Sequence, residues 1–100
     1  MEKVKVEIQY FLGCPNVTIM IKNVKEAIAG MEDKIDYSEI LIEDGITAEQ
    51  IGFRGSPTLI IDDKDFEGLE KPDCPGLSCR FYKHGVPPQD KIRQKINELL

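Results

Sequence analysis

Apolar residues fall at every second position from Val4 to Phe11, with Val4, Val6, Ile8 and Tyr10 on one side and Lys5, Glu7 and Gln9 on the other. That period predicts a strand with one buried face. Leu12-Gly13-Cys14-Pro15 breaks it, and Val17, Met20, Ile21, Val24, Ala27 and Ile28 then recur at three- and four-residue spacing. This is the stripe of an amphipathic helix ending near Gly30. Pro15 suits its first turn, where amides have no partner inside the helix. Ile35 to Ile42 alternates less regularly and predicts a second strand covered on both faces. Asp44-Gly45 turns the chain, and Thr47 with Gln50 predicts a capping box for a short helix from about Ala48 to Gly52.

Gly55-Ser56-Pro57 leads into Thr58-Leu59-Ile60-Ile61, a buried third strand stopped by the acidic turn Asp62-Asp63-Lys64-Asp65. Pro57 stands at the strand's first position, where a missing amide costs least. Phe66 to Gly76 reads as a long connection and Leu77 to Lys83 as a fourth strand stopped by His84-Gly85. Pro88 opens a C-terminal helix with Ile92, Ile96, Leu99 and Leu100 as its stripe. The order β-α-β-α-β-β-α predicts one α/β domain over residues 1–100 with a four-stranded mixed sheet. Strands 1 and 2 pair in parallel through a right-handed crossover, strands 3 and 4 form an antiparallel pair beside strand 1, and helices cover both faces.

A chain of 100 residues, 41% hydrophobic and 31% charged, suits one domain that folds without covalent staples. A net charge of −5 with scattered lysines argues against nucleic acid as a partner, because phosphate recognition needs clustered Lys and Arg. No apolar run reaches membrane-spanning length, and Met1 leads directly into the charged stretch Glu2-Lys3-Val4-Lys5 without a signal-peptide core. These features predict a cytoplasmic, monomeric protein without a membrane partner. In a reducing compartment three cysteines point to catalysis, redox sensing or metal binding before structural bridges, and their odd number leaves a free thiol.

Gly13-Cys14-Pro15-Asn16 after the first strand and Gly55-Ser56-Pro57-Thr58 before the third resemble the active-site pair of the thioredoxin and glutaredoxin superfamily, over nearly the whole chain. With GFRGSPT and GLSCR, the combination is similar to a group of small prokaryotic thioredoxin-like proteins, some of them labelled as related to alkylmercury lyase. The resemblance implies a thioredoxin-like fold with Cys14 as the catalytic nucleophile, Pro57 as a cis proline and Ser56 as the residue whose backbone pairs with substrate. The family's second cysteine would fall at Val17, so the motif is a one-thiol version.

A cysteine at a helix start has its thiolate favoured by free amides and the positive end of the helix dipole, which predicts that Cys14, in an accessible loop, is the most reactive thiol. Ser56, Pro57, Thr58 and Arg54 are the expected substrate-binding residues, with His84 as a further source of positive charge. Cys74 and Cys79, bracketing Pro75-Gly76, form a candidate secondary redox pair. A strand-borne Cys79 would lie at the far end of the sheet from Cys14, out of reach unless the long connection folds back. Cys79 and His84 lie five apart on one strand, on opposite faces, so no zinc site is expected. The leading expectation is monothiol thiol-disulfide exchange on a disulfide peptide or small thiol, with an external thiol such as glutathione and no bound cofactor. The alternatives are a non-catalytic binding module that docks a peptide between Cys14 and Pro57, and a protein handling soft metals or organomercurials through Cys14, Cys74 and Cys79.

Overall fold

The computed structural model describes residues 3–73, 75–82 and 84–100. Strand β1 (Val4–Tyr10) is followed by helix α1 (Asn16–Ile28), a 3₁₀ turn (Glu32–Lys34), strand β2 (Ile35–Leu41), helix α2 (Gly45–Ile51), strands β3 (Thr58–Ile61) and β4 (Lys64–Asp65), and helix α3 (Gln89–Leu99). The sheet order is β2-β1-β3-β4. β1 pairs in parallel with β2, from Val4 opposite Ile35 to Tyr10 opposite Leu41, and antiparallel with β3, from Val6 opposite Ile61 to Gln9 opposite Thr58. The expected element order and sheet pairing are present.

Alternation decides which side of the sheet each helix covers. Val4, Val6 and Ile8 on β1 and Leu59 and Ile61 on β3 share a core with Met20, Val24, Ala27 and Ile28 of α1 and Ile92 and Ile96 of α3. Positions of the other parity, Phe11, Ile40 and Ile42, gather with Ala48 and Ile51 of α2 and with Phe53 in a smaller cluster. Helices therefore lie on both faces. Arg93 of α3 donates to the carbonyls of Ala27 and Ala29, two acceptors that the end of α1 leaves open.

Four local expectations are corrected. β2 is the edge strand, so only Ile35 of it is buried, while β3 is buried throughout. α2 begins at Gly45 because the Asp44 side chain, and not Thr47, caps it, accepting from the Thr47 amide at 2.7 Å. The fourth strand is Lys64–Asp65, and the described residues of the expected Leu77 to Lys83 strand, 77–82, form none. Asp62 and Asp63 both adopt positive φ and complete a two-residue hairpin, which leaves Lys64 and Asp65 free to pair with Ile61 and Ile60. Leu99 and Leu100, placed in the apolar stripe of α3, are exposed. Among the described residues no helix is long and apolar enough to cross a membrane.

Candidate functional site

After the short β4 the chain leaves the sheet, and residues 78–80 return beside Ser56, next to the C-terminal end of β1. Cys79 lies there beside Ser56, joined to it by an isolated parallel bridge. Ser78 accepts from the Ser56 amide and the Arg80 amide donates to the Ser56 carbonyl, both at 2.8 Å. Cys14 and Cys79 are joined as a disulfide across 65 residues, with their Cα atoms 5.8 Å apart. The expectation that Cys79 sits on a strand remote from Cys14 is thus corrected. The long connection does fold back, and a second sulfur reaches the one-thiol motif from outside it.

Cys14 immediately precedes Pro15, the cap of α1, and its carbonyl accepts from Val17. Val17 occupies the place of a nearby second thiol and carries no chemistry. Cys14 is buried, at 7% exposure, whereas Cys79 is exposed. This corrects the expectation of an accessible Cys14: the segment carrying Cys79 covers it. Cys74, the partner expected for Cys79, lies outside the described residues.

The Ser56-Pro57 peptide is cis, and both residues are buried. The Ser56 hydroxyl faces Phe11, accepting from its amide at 3.1 Å and donating to its carbonyl at 3.3 Å. Thr58, expected to meet substrate, is buried; its hydroxyl donates to the Gly55 carbonyl and accepts from Arg80. The Arg54 guanidinium donates to the Leu69 carbonyl at 2.7 Å. With Glu67, Leu69, Cys79, Phe81 and His84, Arg54 lines a cleft of about 610 Å³. Cys79 borders that cleft and Cys14 does not.

Three residues without an assigned role in the sequence hold the returning segment. Arg80 forms a forked pair with Asp65, at 2.6 and 3.0 Å, and both side chains are buried. Tyr82 donates its hydroxyl to the Pro57 carbonyl, and the Arg80 guanidinium lies 4.9 Å from the centre of the Tyr82 ring. Asp65 also accepts from the amides of Glu67 and Leu69, so one carboxylate organises both the exit from β4 and the docking of residue 80. Burial pushes the Asp65 carboxyl up, but the Arg80 fork and the two amides outweigh it and hold the group below its ordinary value. Burial likewise raises the Tyr82 phenol, which stays protonated and able to donate. Arg80 lies inside the GLSCR motif, but no spacing rule links it to a carboxylate fifteen residues earlier.

Among the described residues no three His, Cys, Asp or Glu side chains converge as a metal site. With their sulfurs joined, Cys14 and Cys79 are not thiolate ligands in this state. No family model matches the chain, and no curated protein does. Thirteen chains of solved structures match. One is a chloroplastic thioredoxin z, 14% identical, with a TM-score of 0.67 over 98% of this chain and 79% of that one. Element order, sheet pairing, helices on both faces and this likeness together give the chain a thioredoxin-like fold.

Proposed function

We propose that this chain is a thiol-disulfide exchange protein that cycles between a Cys14–Cys79 disulfide and the corresponding dithiol. The observation that carries this reading is the meeting of two cysteines 65 residues apart, one at the start of α1 and the other on the segment seated beside Ser56-Pro57. The one-thiol reading of the motif gives way to a dithiol whose second member lies outside it.

Exposure and acidity divide the work between the sulfurs. The exposed Cys79, deprotonated, attacks a substrate disulfide, forms a mixed disulfide and expels the first substrate thiolate. Cys14, whose thiolate is favoured at the helix start, is the nucleophile of the second step. It attacks the Cys79 sulfur, closes the internal bond and expels the second thiolate. Two protons leave the protein thiols and two reach the products, so the substrate gains the two electrons that the dithiol loses. An external thiol such as glutathione reverses the cycle by attacking Cys79 and expelling Cys14, the better leaving group, and a second equivalent releases Cys79. In this reading the protein works as a monomer in the cytoplasm, with no bound cofactor.

Mass spectrometry of single variants tests it. Cys14→Ser should accumulate a stable thiol adduct on Cys79, Cys79→Ser should form no internal disulfide, and neither should turn over a disulfide substrate. Turnover by Cys14→Ser at the wild-type rate, or a wild type in which the 14–79 bond never forms, overturns the proposal.

A further inference from the structure

An extended polypeptide docks beside a reactive group by adding itself as a strand to free backbone donors and acceptors. Next to the sulfurs, the backbone that faces them is Gly55-Ser56-Pro57, and proline has no amide to offer. The Ser56 amide and carbonyl are both taken, by Ser78 and Arg80. The edge is therefore filled by the chain itself, in the extended form an incoming peptide would need.

This seat has anchors besides the disulfide. The Arg80 fork on Asp65, the contact of Arg80 with Thr58 and the Tyr82 hydroxyl on Pro57 all lie outside the sulfur bond, and all are partly or wholly buried. The fit is also close: Gly55 has φ +114°, and a Cβ there would stand 2.9 Å from the Arg80 Cβ and 3.2 Å from its Cα. Opening the Cys14–Cys79 bond removes one anchor of several. The open approach is the cleft of about 610 Å³ bordered by Cys79, a size suited to a small molecule.

Resting on the exchange reading, we propose that residues 78–80 stay seated on Ser56 in both redox states, so that the site exchanges with low-mass thiols and disulfides through Cys79 and excludes extended polypeptide disulfides. In the step involved, Cys79 displaces one thiolate from the small disulfide, and Cys14 displaces the other as the internal bond closes.

Two measurements on the reduced protein test the proposal. Turnover is compared between bis(2-hydroxyethyl) disulfide, which has no peptide groups, and insulin, whose disulfides lie within polypeptide. The small disulfide should react at least about 100-fold faster per bond, and Arg80→Lys or Tyr82→Phe, which weaken the seat, should narrow that ratio at least tenfold. Hydrogen exchange should show the Ser56 and Arg80 amides equally protected before and after reduction. Comparable rates on the two substrates, or loss of amide protection on reduction, overturns the proposal while leaving the exchange reading intact. Failure to reduce either substrate instead removes the exchange reading itself.

Discussion

From Val4 to Ile61 the chain runs through three strands and two helices built on apolar periods, whereas from Phe66 to Pro88 its described residues form no helix and no strand. Each region nevertheless delivers one sulfur to the same point. The first is held by a shared core in which Val6, Ile8, Met20, Val24, Ile92 and Ile96 are fully buried. The second shares that core only through Tyr82, with Phe66 and Val86 at its margin, and adds a buried ion pair, the Tyr82 hydroxyl and two backbone hydrogen bonds to Ser56. Apolar burial is non-directional and builds the platform. A forked charged pair is directional and sets where along the platform Cys79 lies.

Cutting into the first region should have the largest effect. Ile8→Ala removes buried carbons from the middle of the sheet and should cost about 4 kcal/mol, through lost burial and the cavity left behind. The loss should be global, seen as one shifted denaturation midpoint with no dependence on pH.

Asp65→Asn attacks the second region. It leaves the buried Arg80 guanidinium without its counter-charge and should cost about 3 kcal/mol near neutral pH. The Asp65 carboxyl is held below its ordinary value of 3.8, so its contribution is complete above that pH and is lost as acid protonates it. Wild-type stability should therefore fall as pH drops below about 3.8, and the variant should lack that share of the slope, as urea titrations at several acid pH values will show. An equal acid slope in both proteins would mean that the segment is held by something other than this pair.

How much of each region was legible follows the same division. The stripe Met20, Val24, Ala27, Ile28 and the alternation of Val4, Val6 and Ile8 are local periods, and the structure buries those residues. The Cys14-Pro15 and Ser56-Pro57 loops were legible as breaks between periods. Leu77 to Lys83 offered no comparable period, and its described residues, 77–82, form no strand. The true β4 is two residues long, too short for any period, and exists because Asp62 and Asp63 both accept positive φ. The Arg80–Asp65 pair, and with it the meeting of Cys79 and Cys14, depends on side chains brought together only after the sheet has formed. Local spacing carries no record of such a contact.

Gly55→Ala probes the seam between the regions and should have the smallest effect of the three. The added methyl meets Arg80 and imposes a side chain where φ is +114°. It should cost about 2 kcal/mol, while lowering hydrogen-exchange protection at Arg80 more than in the sheet.

The 65-residue span of the bridge has a mechanical side. When the chain is pulled at its two ends, the covalent path runs through the crosslink and skips the backbone between positions 14 and 79. That stretch, including β2, α2 and β3, cannot be drawn out while the bond is closed. Opening the bond exposes a hidden contour length of about 220 Å, at roughly 3.3–3.6 Å per extended residue. Redox state therefore sets how far this molecule can be drawn out before it breaks.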